Sequence, residues 1–496
     1  MKVYFARHIA FMRSAPALHS GLLMLIGVSA ALTPCWQLVL PLLLLLIPEL
    51  VIRRYGPFLA SISILAGTFF VTSYRHPPLP AHCDGLVGTA YFSVERLSET
   101  ASPFTKSLRY TGVCKWFKAD SGERIKNLPL SISLPLNGQI KGGSDHLVRG
   151  KLVKRGNYYL LKNTEWVKIP DSTGYAEMRY SAKKAIKKKI NRQTDSASHE
   201  SSLLTALATG DSSDRFLQFF LVTAGLQHLL AISGFHFAAF TFITYWLLRP
   251  LCTKRAATLA LIPVATAYLA LIGYSPSVFR AWVATCCFLI AKIFNIHSSA
   301  INLLGVALMA ELLLSPIQSQ TVSFQLSFLA TAAIILFYRP IESLLSRCLV
   351  QYKLPTALKM SLLDQHIYLI SHYFRSTLSL TLAIYFVLTP ALLYYFHSVP
   401  LLGLLYNLYI PPLIALLFAL LLFALLLPSP LCSPLFFLAE KLAHFTLIPI
   451  FQPPMRLHYA LQVEGVPLTP LILFLTLALA LAIHLPEERS SLPLIY

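Results

Sequence analysis

The 496-residue chain is 56% hydrophobic, only 12% of its residues are charged, and its formal net charge is +20. A soluble domain usually carries about 25% charged residues, so this composition excludes an ordinary soluble protein. It predicts instead a polytopic α-helical membrane protein. The positive charge is unevenly distributed, because residues 96–192 contain 21 Lys and Arg residues against seven Asp and Glu residues.

Three apolar runs come first, at about 17–34, 36–52 and 57–74, and each is near the length that spans a bilayer. Basic residues precede the first run and lie between the second and the third, which predicts a cytoplasmic N-terminus. Because the second run follows the first almost at once, we expect a signal anchor rather than a cleaved leader. Three crossings would place residues 75–200 outside the membrane, and long domains translocate largely regardless of their charge.

The block at 75–200 has the pattern of a small β-rich domain. Five short apolar or alternating stretches are separated by Gly and Asn turns: Leu86–Val94, Leu108–Phe117, Leu128–Leu134, Leu147–Leu152 and Tyr158–Val167. Five strands in about 90 residues favour a small barrel, of which an OB-like barrel is one form. A lysine-rich helix is predicted to follow at about Tyr175–Arg192.

The remainder, 201–496, is predicted to be a membrane core. Its nine apolar segments lie near 216–248, 256–274, 278–294, 300–314, 321–338, 378–396, 400–428, 431–452 and 468–485. With the first three runs they give about twelve transmembrane helices, and the domain boundaries become 1–74, 75–200 and 201–496. The basic stretch 339–376 is predicted to be a cytoplasmic loop, within which 357–374 has the pattern of an amphipathic surface helix.

Gln227–His236 places two histidines, a serine and a glycine inside an apolar run. Polar groups at bilayer depth are costly and mark pathways or sites, and Gly234 would break the helix there. In an unbroken helix His228 and His236 would share one face, where they would line a pore or make structural hydrogen bonds. A metal is the weaker reading, because a zinc site needs three or four ligands. In a second alternative, the protein is an intramembrane serine hydrolase with Ser233 as the nucleophile, although no GxSxG pattern surrounds this serine.

Four further polar residues stand in apolar segments: Arg280, Gln325, Ser327 and Asn407. Arg280 would either reach the membrane interface or face a polyanion. The other three would line the same path or hold helices together. Asp211 and Asp214 precede an apolar helix and are expected to cap it.

The basic residues of the outer block form the candidate DNA-binding set: Lys154, Arg155, Lys183, Lys184, Lys187, Lys188 and Lys189. Aromatic residues are interleaved with the cations, as in polyanion-binding surfaces that stack bases. Alternatively, these cations would bind lipid headgroups, or the lysine-rich helix would simply present a solvated face. Cys83 and Cys114 are the only cysteines of this block, and in an oxidising compartment they could form a disulfide, although their number does not establish the bond.

Four strings together resemble the ComEC family of competence proteins, which form the channel for imported DNA. They are a pattern similar to LLxALxxGD…GLxHLLAISGxH over 203–236, Pro-Ser-x-x-Arg-Ala over 276–281, Ser-Phe-Gln-Leu-Ser-Phe-Leu-Ala over 323–330, and Phe-His-Ser-Val-Pro…Asn…Pro-Pro over 396–412. Two departures stand out. Many members have Asp where this chain has Ser315, and the HxHxDH motif of the metallo-β-lactamase-like domain of larger members does not occur here.

The resemblance implies an inner-membrane, multi-pass channel that imports single-stranded transforming DNA and that is not itself an enzyme. No metal and no cofactor are expected. No GxxxxGK[ST] phosphate loop occurs, so a cytoplasmic DNA motor would drive transport, with a DNA receptor and a separate nuclease as further partners. Homo-oligomerisation stays open. The alternatives are a transporter or flippase of a lipid-linked polyanion and the intramembrane serine hydrolase.

Overall fold

The computed structural model describes residues 10–32, 37, 41–42, 44–47, 55–75, 83–101, 106–135, 145–155, 158–168, 175–212, 214–230, 232, 234–348, 361–452, 460–463 and 465–484. The helices are α1 (Pro16–Leu32), α2 (Tyr55–Arg75), α3 (Tyr175–Gln193), α4 (His199–Thr209), α5 (Arg215–Thr223), α6 (Gln227–Leu230), α7 (Gly234–Leu248), α8 (Lys254–Ile272), α9 (Pro276–Ile293), α10 (Ala300–Leu314), α11 (Val322–Leu345), α12 (Leu362–Phe396), α13 (Leu402–Leu426), α14 (Ser433–Phe451) and α15 (Leu468–His484). The strands are β1 (Val87–Ala101), β2 (Lys106–Ala119), β3 (Arg124–Pro135), β4 (Asp145–Arg155), β5 (Tyr158–Lys168), β6 (Ser398–Pro400) and β7 (Ala460–Gln462), and a 3-10 helix covers Pro316–Gln320.

The chain is a multi-pass membrane protein. Among the described residues, seven helical segments are long and apolar enough to cross a membrane, namely α6 with α7, and then α8, α9, α11, α12, α13 and α14. Shorter apolar helices lie at Pro16–Leu32, Pro57–Ser73, Ala300–Leu314 and Leu468–Ile483. The figure of about twelve crossings stays a prediction, since most of the predicted run 36–52 lies outside the described residues.

The five strands predicted before the membrane core are confirmed, and they form a closed barrel. Its strand order is β1-β2-β3-β5-β4, with β4 returning to β1, and every pair is antiparallel except the parallel pair β3–β5. Alternate side chains point inward, as the period of a strand requires. Phe92, Tyr110, Phe117 and Ile132 consequently have no exposed surface.

The structure contains no disulfide between Cys83 and Cys114, the bond that the sequence left open. Both thiols are free and buried in the barrel. The Cys114 thiol donates to the carbonyl of Trp116 at 2.9 Å, on its own strand. The Cys83 thiol instead hydrogen-bonds to the side chain of Tyr159 on β5. The two sulfur atoms thus engage different parts of the barrel, a placement that the cysteine count could not foresee.

The predicted lysine-rich helix is confirmed as α3, and it joins the barrel to the membrane core. Near its start, Tyr180 packs against the hydrophobic core of the barrel. Near its end, Ile190 has no exposed surface and belongs to a core cluster of the membrane helices. The helix therefore spans the junction between the two parts of the chain.

The membrane helices pack around two hydrophobic clusters. The first is built mainly from α4, α5, α13 and α14, and the second from α1, α10, α11, α12 and α15. Gly305 lets α10 approach α1 closely, because a Cβ there would lie 2.2 Å from the backbone nitrogen of Leu18. Helix α9 contributes to both clusters, since Val278 belongs to the first and Phe279 to the second. Its side chains thus lie where the clusters meet.

Two predicted segments differ from the structure. The run 216–248 is divided into α5, α6 and α7, and the first break is at Gly225, whose φ is +75°. That backbone conformation favours glycine, and a Cβ there would also lie 2.7 Å from Pro400. The amphipathic helix predicted for 357–374 is not a separate element. Residues 357–360 lie outside the described part of the chain, and from Leu362 the segment forms the first part of α12, which continues without a break to Phe396.

Candidate functional site

The break between α5 and α7 places the two predicted histidines in different surroundings. His228, on α6, is exposed, and its side chain hydrogen-bonds to the backbone of Gly225. His236, on α7, has no exposed surface, and its ring packs edge-on against Phe418 at 5.4 Å between centroids. The two imidazoles interact electrostatically. His228 is thus accessible, whereas His236 is enclosed by packed side chains. Ser233 lies outside the described residues.

Arg280 connects the start of α7 with α11. Its Nη1 donates a hydrogen bond to the backbone carbonyl of Ser327 at 2.5 Å, and its guanidinium lies 5.6 Å from the ring centroid of Phe328. Its Nη2 lies 3.9 Å from the position of a Cβ on Gly234, the first residue of α7. The structure therefore brings Gly234, Arg280 and Ser327 together. The guanidinium also adds a full positive charge beside a helix N-terminus, which is itself electropositive.

A buried carboxylate that the sequence reading missed lies next to this cation. Glu311 has no exposed surface, its Oε1 accepts a hydrogen bond from the hydroxyl of Tyr274, and it interacts electrostatically with Arg280. Among the described residues, its Oε2 has no hydrogen-bond partner. The sequence did contain a signal for this residue, because Glu311 is the only charged residue of the apolar helix α10. An ionisable residue at membrane depth marks a functional candidate.

Gln325 holds the second cluster together close to Ser327. Its amide nitrogen donates to the carbonyl of Ser319 at 3.0 Å, and its Oε1 accepts a hydrogen bond from the hydroxyl of Tyr395. The amide thereby links α11 to the 3-10 helix and to α12. Both ends of this side chain are satisfied, so it fixes the geometry beside Arg280.

Asn407 lies on α13 where two prolines interrupt the helical hydrogen bonds. Pro412 has no N–H to donate to the carbonyl of Leu408, four residues earlier. The hydroxyl of Tyr373 on α12 donates to that carbonyl instead, at 2.7 Å. Asn407 itself is half-buried, and its Oδ1 has no hydrogen-bond partner among the described residues. A polar amide group is thus available at membrane depth.

The five lysines of α3 divide into two groups. Lys183 forms an ion pair with Asp211 at 2.9 Å, and Lys189 donates to the carbonyls of Leu425 and Leu427 at 2.8 Å each. These carbonyls end α13, where a helix favours a cation. Lys184 and Lys188 are exposed, and Lys187 is half-buried. Lys183 and Lys189 thus dock α3 on the membrane core, whereas Lys184 and Lys188 remain exposed.

The remaining predicted residues lie on the barrel strand β4 and just before helix α5 of the membrane core. Lys154 and Arg155 are both exposed at the end of β4. Asp214 caps α5 as expected, because its side chain accepts from the backbone nitrogen of Leu217 at 3.0 Å. Asp211, for which a cap was also expected, holds Lys183 instead. Within the described ranges, no group of three or more His, Cys, Asp and Glu side chains is arranged to hold a metal ion.

The fold and these residues define a class, a multi-pass membrane protein that carries a basic β-barrel and an Arg–Glu pair inside its membrane core. A family model described as competence protein matches residues 217–488, more than half of the chain. The chain belongs to the competence protein family. Comparisons with curated proteins and with solved structures give no match.

Tyr274 also joins Glu311 to the residue that ends α10. Ser315 is the C-cap of α10, four residues after Glu311, and its backbone N–H donates to the carbonyl of Glu311 at 2.8 Å. Tyr274 hydrogen-bonds to both side chains. Glu311 and Ser315 therefore meet the same phenol at the C-terminal end of α10.

Proposed function

We propose that this protein is the inner-membrane channel through which single-stranded DNA enters the cytoplasm during competence. The observation that carries the proposal is the placement of Arg280 at the junction of the two membrane clusters, beside the N-terminus of α7. The Arg280 guanidinium and the helix N-terminus are both positive, so they would attract successive phosphates of a strand passing between the clusters. Membership of the competence family supports the same reading.

The path would continue over polar groups of both clusters. His228 is exposed on one side, and Asn407 presents an amide oxygen without a partner among the described residues. Glu311 lowers the net charge at Arg280, so a phosphate would be held there weakly enough to move on. A conduction site has to bind its ion without retaining it.

The barrel would capture DNA outside the membrane. Its strand order, β1-β2-β3-β5-β4 with one parallel pair, is compatible with an OB-fold, a barrel that commonly binds oligonucleotides. Residues 96–192 carry 21 basic against seven acidic residues, which suits a phosphate backbone. We therefore place residues 75–200 on the extracytoplasmic side, with the N-terminus in the cytoplasm. A receptor, a cytoplasmic motor and a nuclease would act as partners.

The test is uptake of fluorescent double-stranded DNA by cells that lack this gene, complemented either with the wild type or with empty vector. The nuclease-protected cytoplasmic signal is scored separately from DNA held outside the inner membrane. We expect DNA to accumulate outside and to fail to reach the cytoplasm without the gene. Normal cytoplasmic entry would overturn the proposal and favour transport of a lipid-linked polyanion.

A further inference from the structure

The barrel carries an aromatic and cationic surface that lies apart from the lysine-rich helix. We propose that this surface, formed by the outward side chains of β1, β2 and β3 and centred on Tyr91 and Trp116, is the binding site for single-stranded DNA. The inference deepens the proposed function, since it names the capture site of the outer domain. It is argued from the rings, the charges and the strand register of the barrel itself.

Tyr91 and Trp116 form a stacked aromatic pair on the outside of the barrel. They are direct cross-strand partners in the β1–β2 register. Their ring centroids lie 5.8 Å apart with an interplanar angle of 18°. The neighbours Phe92 and Phe117 point into the core and have no exposed surface, so the pair points outward, where both rings remain partly exposed. Unpaired bases of any sequence can stack on exposed aromatic rings.

A β-bulge adds a cation to this pair. The register moves from Phe92 opposite Cys114 to Tyr91 opposite Trp116, which leaves Lys115 as an extra residue on β2. Its Nζ lies 4.9 Å from the ring centroid of Tyr91. Bulges re-aim side chains and are common beside functional sites. Here the bulge places an ammonium group on the edge of the stacking surface.

Further cations continue the surface across the sheet. Lys126 lies opposite Trp116, and Lys118 lies opposite Arg124 in the neighbouring row. All three of these basic side chains are exposed. The same row reaches Arg149 on β4, which forms an exposed ion pair with Asp120 at 3.2 Å. Cations in two adjacent rows flank the rings, as a strand with one phosphate per base requires.

The surface has the size and the accessibility that a short strand needs. From Leu147 through Tyr91 and Trp116 to Lys126 it crosses four strands, about 14 Å at the usual strand spacing. Helix α3 contacts the other end of the barrel, where Tyr180 lies near Tyr110. Trp116 is six residues further along β2, about 20 Å away. Docking of α3 therefore leaves this surface open.

The chemistry favours a single strand over the other polyanions. In duplex DNA the base faces are stacked within the helix and cannot contact the rings. Lipid headgroups would use the cations but would leave Tyr91 and Trp116 without a role. The exposed lysines Lys184 and Lys188 of α3 offer charge without an aromatic pair, so they form the matched control surface.

The experiment uses the full-length protein in nanodiscs of a zwitterionic lipid, titrated with a fluorescent oligothymidine strand. Trp116→Leu is expected to weaken binding about tenfold at every salt concentration, which is the loss of roughly one stacked base. Lys118→Ala with Lys126→Ala is expected to flatten the dependence of log K on log salt by about 0.7 for each lost phosphate contact. Trp116→Phe keeps a ring and is expected to retain most of the affinity.

Lys184→Ala with Lys188→Ala removes the same charge from α3 and is expected to leave both affinity and salt slope unchanged. The proposal is overturned if Trp116→Leu binds like the wild type, or if the α3 control carries the loss. It is equally overturned if replacing Trp116 and both lysines weakens the binding of duplex DNA as much as that of the single strand. The same conclusion follows if competition by anionic vesicles depends on these residues as strongly. Binding is measured without uptake, so a failed channel function in cells and a failed capture surface in vitro are separate results.

Discussion

The hydroxyl of Tyr274 donates a hydrogen bond to Oε1 of Glu311, a carboxylate with no exposed surface inside the membrane core. Burial raises the pKa of Tyr274, and the adjacent carboxylate adds to the effect, so the phenol keeps the proton that it donates. Glu311 also interacts electrostatically with Arg280. Tyr274, in the loop before α9, thus fixes the position of Glu311, the acidic residue beside Arg280 on the proposed path.

Tyr274→Phe is expected to lower the free energy of unfolding by about 1–3 kcal/mol, because it leaves a buried carboxylate oxygen without its donor. Thermal unfolding in detergent micelles, followed by tryptophan fluorescence, measures the loss. In a Glu311→Ala background, which removes the acceptor, the same substitution should cost less, since residues in direct contact are coupled. Strictly additive effects of the two substitutions would contradict a direct interaction.

Arg280→Ala is expected to reduce cytoplasmic DNA entry by about tenfold or more, since a charge-assisted contact contributes about 1.5–3 kcal/mol. DNA held outside the inner membrane should not decrease. Arg280→Lys keeps the charge but not the planar fork, so an intermediate value is expected. Arg255→Ala, which removes an exposed cation at the start of α8, is the control. If both Ala variants import DNA normally, Arg280 does not lie on the path.

Tyr373→Phe is expected to destabilise the protein by about 1 kcal/mol, because the carbonyl of Leu408 then has no donor. The reason is the missing N–H of Pro412, and Pro412→Ala restores it. In a Pro412→Ala background the loss of the Tyr373 hydroxyl should therefore be close to neutral. Equal destabilisation in both backgrounds, measured as thermal unfolding in micelles, would show that the hydroxyl acts elsewhere.

Lys189→Ala is expected to loosen α3 from the membrane core, because its ammonium group bonds two carbonyls at the end of α13. Lys183→Ala, which breaks the ion pair with Asp211, is expected to act in the same direction. Limited proteolysis should then cleave α3 faster than in the wild type. Lys184→Ala is exposed and should change the rate little. Faster cleavage in Lys184→Ala alone would reverse the assignment of these lysines.

Cys114 is expected to resist alkylation in the folded protein. Burial raises the pKa of the Cys114 thiol to about 12, so at pH 8 the thiol is protonated, and the thiolate is the reactive form. Cys348 is exposed and should react under the same conditions. Peptide mapping by mass spectrometry after native and denatured labelling distinguishes the two. An intact Cys83–Cys114 disulfide in the unlabelled protein would contradict the free thiols.

Local patterns predicted much of the fold. Alternation over short stretches indicated the five barrel strands, and a run of lysines at helical spacing indicated α3. Apolar runs marked the membrane core, because spanning a bilayer needs a length of apolar residues that is visible in any window of the chain. The motifs over 203–236, 276–281 and 323–330 by themselves indicated the competence family.

The candidate site was only partly predictable. Arg280 and Gln325 were recognised as polar residues in apolar runs, but their partners Ser327 and Tyr395 were not. Glu311 was missed although it stands alone in an apolar helix. On the barrel, Trp116 was noted as an interleaved aromatic residue, whereas its pairing with Tyr91 depends on a strand register that includes a bulge.

The sequence by itself determined the class of this protein, the strands of its barrel and its family, because periodicity, apolar length and motif spacing are properties of neighbouring residues. Only the tertiary structure decided which charges hold the fold and which remain exposed. Lys189 bonds the carbonyl of Leu427, 238 residues away, while Lys188 beside it stays exposed. Contacts between residues so far apart depend on how whole helices pack, and that packing leaves no local pattern in the chain.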